Sequence, residues 1–246
     1  MYKIKIILFY IVLGLSAFLW SMISFLCLPL LRNFEQRYRF IIANWCQFAV
    51  WLTRVLMGIN YQIHGINNLP KGPYIIAANH QSAWETFFLS AVFCPLTQVL
   101  KKELLNIPFW GWAARSLNPI AIDRSNPKQA LKQVITGAKQ SLTAGRFVLI
   151  FPEGTRMQPG NLGKFSRSSA QIAAQNNVAI VPIYHNSGVF WSKELLHKKP
   201  GTIQIHIGVP LLAKSDDNAD ITALNKELYS WMLKQQENAL PNQSLS

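Results

Sequence analysis

The stretch that decides the fold is "YIIAANHQSAWETFF", residues 74–88. It opens as a short, unbroken apolar run, the pattern of a strand buried on both faces. The run stops abruptly at a histidine, His80, and a lone carboxylate, Glu85, follows where a helix is just starting. In open α/β sheets the functional loops lie beyond the carboxyl ends of the strands, and "NHQSAWE" occupies such a place.

Outward from that point the chain repeats the same alternation. "YQIHG", "NPIAID", "RFVLIF", "AIVPIY" and "TIQIHIG" read as strands, while "ETFFLSAVF", "PKQALKQVITGAKQSLTAG" and "SSAQIAAQNN" carry helical spacing. The middle helix has Pro127 near its start and Gly145 at the position of a C-terminal cap. Such alternation predicts an α/β domain with a mostly parallel, mixed sheet flanked by helices, preceded by membrane-associated helices. The organisation expected is an anchor and interfacial helix over 1–58, the α/β domain over 59–240, and a disordered tail over 241–246. A last helix is expected from about Asp220 to Glu237.

The N-terminal part is of another texture. No charged residue occurs from Ile6 to Leu31, a run of 26, and a helix of that length exceeds a hydrocarbon core of about 30 Å. The run is too long for a signal peptide and lacks a small-residue cleavage site. Lys3 and Lys5 precede it and Arg32, Arg37, Arg39 and Arg54 follow, so both flanks are basic. A straight span is the first expectation; Gly14, Ser16, Ser21 and Pro29 also permit a bent, half-inserted hairpin. The next segment, "NFEQRYRFIIANWCQFAVWLTRVLMGIN", reads as a long helix lying on or dipping into the membrane surface. Across the chain, 24 Lys and Arg stand against 11 Asp and Glu, and only 14% of residues are charged. Soluble domains usually have roughly 25% charged residues. That balance suits an anionic membrane surface. Cys27, Cys46 and Cys94 are scattered and apolar in context, which argues against a disulfide framework and places the globular part in a reducing compartment.

Residues five apart lie about 140° round a helix axis, so His80 and Glu85 cannot share one helix face. They can meet if His80 sits in the loop and Glu85 reaches back from the first turn. A carboxylate on one ring nitrogen fixes the tautomer and raises the basicity of the other, giving a general base without a serine or cysteine nucleophile. A histidine that merely packs or caps the helix is the simpler alternative. A second cluster weighs against it: "FPEGTR", residues 151–156, again follows an apolar strand and leaves Glu153, Thr155 and Arg156 facing outward. Arginine grips phosphate through paired hydrogen bonds, and Gly154 lets backbone N–H groups approach closely. "NPIAIDR" places Asp123 and Arg124 at a third strand end.

"NHQSAWE", "NPIAIDR", "FPEGTR" and "AIVPI" resemble, in order and spacing, the blocks of the glycerolipid acyltransferases, and specifically the bacterial 1-acyl-glycerol-3-phosphate acyltransferases. The resemblance covers roughly Leu69 to Pro210. It implies that His80, oriented by Glu85, deprotonates the free hydroxyl of a lysophospholipid. The hydroxyl oxygen then attacks the thioester of acyl-CoA or acyl-carrier protein with no acyl-enzyme. Arg124, Glu153, Gly154, Thr155 and Arg156 would hold the glycerol-phosphate end of the acceptor. Pro182, in "AIVPI", would mark the fourth block. The product would be phosphatidic acid, and no bound cofactor or metal is implied. The implied location is the bacterial inner membrane, with the catalytic domain on its cytoplasmic face. There are departures from the pattern. Glu85 stands where the family usually has aspartate, and Ala121 where an aromatic is frequent. Ser166 and Ser168 replace a usual lysine and glycine, with Lys164 and Arg167 as neighbouring cations. "KKELLNIPFWGWAARSLN" also resembles the family's connecting segment; its Phe109, Trp110 and Trp112 suit a membrane interface or an acyl-tunnel wall, a core aromatic cluster being the simpler alternative.

His64, His185, His197 and His206 show no metal-ligand spacing and read as structural or surface residues. Ser82 lacks the G-x-S-x-G elbow of a serine hydrolase. Two other functions fit the same features less well. One is acyl transfer to a different lysolipid, such as a lyso-ornithine lipid. The other is a non-catalytic, membrane-anchored polyanion binder, for which no nucleic-acid-binding motif is found.

Overall fold

The computed structural model describes residues 2–123 and 125–239; the tail expected over 241–246 lies outside them. Helix α1 (Tyr2–Cys27) leads through a 3₁₀ turn into one continuous helix made of α2 (Phe34–Tyr38), a π-helical segment (Arg39–Ala43) and α3 (Asn44–Met57). Asn33 caps its start by accepting the Gln36 N–H, and Gly58, at φ 66, ends it in the left-handed conformation. The α/β part follows as β1 (Ile59–His64), β2 (Ile75–Ala78), α4 (Trp84–Val92), β3 (Leu96–Lys101), α5 (Trp110–Arg115) and β4 (Ile120–Ile122). Next come α6 (Pro127–Thr143), β5 (Phe147–Ile150), α7 (Ser168–Asn176), β6 (Ile180–His185), α8 (Ser187–Phe190), β7 (Gly201–Ile207) and α9 (Asn218–Ala239).

The strands form one seven-stranded sheet in the order β1-β7-β6-β2-β5-β3-β4. Every pairing is parallel except β6 with β7. β2 is central, and its alternating side chains serve two cores. Ile76 and Ala78 face Trp84, Phe88 and the α3 side. Ile75 and Ala77 face Ala138, Ile172 and Leu228 from α6, α7 and α9. All four strand residues are fully buried, as the unbroken apolar run requires. Because β2, β5, β3, β4 and β6 run in one direction, the turns after Ala78, Ile150, Ile122 and His185 open at the same edge.

β3, α5 and α8 do not stand out in the sequence. β3 is interrupted by Thr97 and Gln98 and runs straight into Lys101 and Lys102, which hides its apolar half. α5 and α8 are too short for a period to show.

Helix α1 does not stand off the α/β domain. At its start Tyr2 donates to the Met57 carbonyl (3.1 Å), and Phe9 meets Trp191 edge-on (5.3 Å). Midway, Trp45 Nε1 donates to Ser16 Oγ (3.2 Å) and Trp20 Nε1 to the Phe40 carbonyl (2.9 Å). Near its end Phe25 packs on Trp112 (5.3 Å) and Phe109 (6.2 Å). Its other face, including Ile4, Ile11, Leu15, Phe18 and Leu26, is exposed and apolar. Both Tyr2–Leu30 and Phe34–Met57 are long and apolar enough to cross a membrane.

Candidate active site

His80 and Glu85 meet as the loop geometry requires: Nδ1 of the imidazole lies 2.8 Å from Glu85 Oε1. Two features of the sequence bring this about. β2 ends at Ala78, so His80 falls in the loop. "SAWE" is a capping box: Ser82 Oγ accepts the Trp84 N–H (3.0 Å) and Glu85 reaches back to the Ser82 N–H (2.9 Å). The same carboxylate thus meets both the His80 ring and the N–H groups at the start of α4. Its Oε1 also accepts the Gln81 N–H (3.0 Å).

The other oxygen, Oε2, takes the hydroxyl of Ser82 and that of Ser187, at 2.8 Å. Glu85 is fully buried. Burial alone would raise its pKa; the charges of His185 and His80, with hydrogen bonds from His80 and Ser82, outweigh it and lower the pKa to about 2. His185 is itself pushed below the usual histidine range by burial.

The His80 ring stacks on Phe151 (4.1 Å between centroids), and only 17% of its side chain is exposed. Its backbone ties the β2 loop to the β5 loop. The Met157 N–H donates to the His80 carbonyl (2.7 Å), and the His80 N–H donates to Glu153 Oε2 (2.7 Å). Glu153 Oε1 accepts the Gly163 N–H (2.9 Å). The outward orientation expected of Glu153 is thus corrected: both oxygens face inward and lace two loops together. Burial raises its pKa despite those two bonds. Gly154 (φ +68), Thr155 and Arg156 are exposed, Gly154 in the conformation that favours glycine.

Other expected residues are more distant. Asp123 follows β4, three strand positions from β2 or roughly 14 Å at the usual spacing. It pairs with Lys102 and accepts the Ser125 N–H (2.9 Å); the Lys102 hydrogen bond holds its carboxyl well below the usual range. Arg124 lies outside the described residues. Arg167 is turned to α9, on Asn218 Oδ1 (2.8 Å). The three aromatics divide: Phe109 and Trp112 pack on α1, whereas Trp110 lines two small apolar cavities. The first, about 180 Å3, lies among Trp20, Ile42, Phe87 and Gln98. The second, about 60 Å3, extends past Ile42 and Gln98 to Leu100 and Leu117.

Sequence reasoning missed Ser187 and His185. Asn79 binds the main chain of His185 through both ends of its amide (2.9 Å each), extending the β2–β6 pairing into the loops. Gly188 closes the contact by donating to Gln81 Oε1 (3.1 Å), and a Cβ there would lie 2.9 Å from Gln81 Cβ. The available signal was "IYHNS", an apolar strand ending in histidine and small polar residues, as "AANHQS" does. His64 and His206 stack on each other at 4.7 Å, away from this site.

Comparison with known proteins shows the family. The Acyltransferase family model matches residues 60–186. A Pseudomonas aeruginosa protein named 1-acyl-sn-glycerol-3-phosphate acyltransferase is 49% identical over 229 residues, 93% of this chain and 89% of that one. A Borreliella burgdorferi protein of the same name is 29% identical over 70% of this chain and 68% of its own. The crystal structure of the 1-acyl-sn-glycerophosphate acyltransferase PlsC from Thermotoga maritima shares the fold with a TM-score of 0.76 at 22% identity, over 97% of this chain and 98% of that one. The family model spans more than half of the sequence and the Pseudomonas relative nearly all of it: the chain belongs to the Acyltransferase family.

Proposed function

We propose that the protein transfers an acyl group from acyl-CoA or acyl-carrier protein to the sn-2 hydroxyl of lysophosphatidic acid, giving phosphatidic acid. The observation that carries this reading is the His80–Glu85 contact of 2.8 Å at the carboxyl edge of the sheet. With Nδ1 committed to Glu85, Nε2 is the nitrogen that takes the acceptor's proton. The hydroxyl oxygen forms a bond to the thioester carbonyl carbon, and the resulting oxyanion collapses by breaking the C–S bond. The proton on Nε2 passes to the departing sulfur. Glu85 stays ionised and stabilises the imidazolium that exists between the two transfers. Direct transfer is supported by Ser82, the nearest hydroxyl in sequence, which is buried and engaged with Glu85 and the Trp84 N–H. Of the acceptor-binding set, Arg156 is the exposed cation to which this reading assigns the phosphate. Glu153 serves instead by holding the loop that carries Gly154 and Thr155, and Arg124 retains its expected role. The apolar cavities beside Trp110 suit an acyl chain. No bound cofactor enters the scheme.

The exposed apolar face of α1 supports membrane association, and its contacts along the whole domain favour half-insertion over a free span. A polar α/β domain cannot follow a helix through the bilayer. Both basic flanks then lie on one side, which we place at the cytoplasmic face of the inner membrane, where anionic lipid attracts them.

The test uses detergent-purified wild type and His80→Ala with lysophosphatidic acid and either labelled oleoyl-CoA or an oleoyl-carrier-protein thioester. Labelled phosphatidic acid from wild type alone is expected. Equal product from both proteins removes His80 as the base. No product with either donor overturns the acceptor assignment.

A further inference from the structure

The segment after α8 forms a wall that the mechanism above leaves unused. A cleft of about 170 Å3 lies between this wall and α1, with Ser82 among its lining residues. At roughly 30 Å3 per water it is sized for a headgroup and not for a whole lipid. Three cations line it, Arg156, Lys193 and Lys198, and among the described residues none that lines it is acidic. Opposite them stand Tyr10 and Leu13 of α1 and Phe87 of α4.

Of these cations Lys198 is held in place, while Arg156 and Lys193 are exposed. Lys193 Nζ donates to the carbonyl of Arg156, which sets the two residues side by side. Lys198 is buried, at 5% exposure. Its Nζ lies 5.9 Å from the Tyr10 ring and 5.5 Å from that of Trp191. It donates to the carbonyls of Ser192 (3.0 Å) and Glu194 (2.6 Å). An ammonium has three donors, so one remains for a ligand. The nearby Glu194 carboxylate is taken up by His197. Burial lowers the Lys198 pKa to about 8, against the opposing charge of Glu194; an anion in the cleft would reverse that shift. Glu194 is itself exposed, so its charge offsets the burial of Lys198 only in part.

We infer that Lys193 and Lys198 complete, with Arg156, a subsite for the phosphate monoester of the acceptor, whose acyl chain leaves along Tyr10 and Leu13 onto the apolar face of α1. This rests on the acceptor reading above. A phosphate dianion supplies the rest of the opposing charge, and the headgroup sits beside the loop that carries His80. Acyl-CoA also bears phosphates, but the α1 wall matches a lipid that arrives from the bilayer.

The test compares wild type with Lys198→Met, which keeps the packing against Tyr10 and Trp191, and with the exposed Lys193→Gln. Full-length proteins in mixed micelles are assayed with lysophosphatidic acid and oleoyl-CoA, each varied in turn. Losing a charge-assisted hydrogen bond should raise KM for lysophosphatidic acid about tenfold or more, with a smaller effect on kcat and none on KM for oleoyl-CoA. If Lys198→Met does not fold, Lys193→Gln decides. Unchanged KM for lysophosphatidic acid in an active enzyme overturns this subsite alone. A raised KM for oleoyl-CoA instead moves it to the donor and also overturns it. A wild type that does not acylate lysophosphatidic acid overturns both this inference and the reading beneath it.

Discussion

Glu85→Gln isolates the charge of the histidine's partner from its geometry. A glutamine fits the same space, and its carbonyl oxygen can occupy the Oε1 position, where His80 Nδ1, the Gln81 N–H and the Ser82 N–H converge within 3.0 Å. The amide nitrogen then meets the Ser82 and Ser187 hydroxyls, which rotate to accept. Tautomer, ring orientation and helix cap all survive, and the negative charge alone is lost. Opposite charges about 4 Å apart at an effective dielectric of ~20 attract by about 4 kcal/mol. The Nδ1–Oε1 contact of 2.8 Å places the imidazolium and carboxylate near that separation. Because the imidazolium exists only during transfer, the loss falls on the barrier, and about 1.4 kcal/mol corresponds to each tenfold in rate. Initial rates with saturating lysophosphatidic acid and oleoyl-CoA should show kcat reduced by ~10² to 10³, with both KM values near wild type. The thermal midpoint, measured beside it, should fall by about 2–4 °C for each kcal/mol of the carboxylate's contribution, with the protein still folded at the assay temperature. A folded Glu85→Gln protein with kcat within about fivefold of wild type would refute the electrostatic role and leave Glu85 a cap.

Three other predictions follow from the same site. Ser187→Ala removes one donor to the buried carboxylate, a loss of about 1.5–3 kcal/mol; kcat should fall tenfold or more, and Ser187→Thr, which keeps the hydroxyl, should recover most of it, whereas equal losses in the two variants would point to packing. The stability that wild type holds over Glu85→Gln should be full above the ordinary carboxyl pKa of 4.5 and vanish as pH falls towards 2, because the folded-state pKa of Glu85 is lowered to about 2. That amounts to roughly 3 kcal/mol, read as the gap between urea melts at pH 7, 5 and 3, and a gap independent of pH would contradict it. Trp110→Ala joins the two cavities that Trp110 borders and should shift preference towards longer acyl donors in competition assays, with no change in profile if the chain lies elsewhere.

Much of the site was legible because it is local. His80 and Glu85 are five residues apart, and a buried strand that breaks before a capping box fixes their relation almost without the rest of the fold. "FPEGTR" was legible for the same reason, its turn being written in proline and glycine. Orientation within that turn was not, since Glu153 faces inward only because the His80 and Gly163 N–H groups wait for it there. Ser187 was hidden by distance: 102 positions separate it from Glu85, and only the β2–β6 pairing brings them together. Lys198 was hidden by its neighbours, because "KELLHKKP" reads as a solvated loop until Tyr10 and Trp191 are seen around the ammonium. The placement of α1 was equally out of reach. Its composition states an affinity for apolar surroundings, and both a bilayer and the flank of a domain satisfy that.

The glutamate in place of the family's usual aspartate finds its reason in this geometry. A capping box calls for a side chain long enough to return from the first turn to the N-cap N–H, which glutamate does well. Here that reach also carries the carboxylate to His80 on one oxygen and to Ser187 on the other. The extra methylene adds a torsion that would loosen the histidine's orientation if one oxygen were left free. Ser187 and Ser82 remove that freedom by engaging Oε2, while Gly188 and Asn79 keep the β6 loop pressed against the β2 loop. Precision at this carboxylate is supplied in part by a second loop. The orientation of the base is thus coupled to how the ends of β2 and β6 pack, and a change at Gly188, which touches no substrate in this scheme, should reach His80 through Gln81 and Glu85.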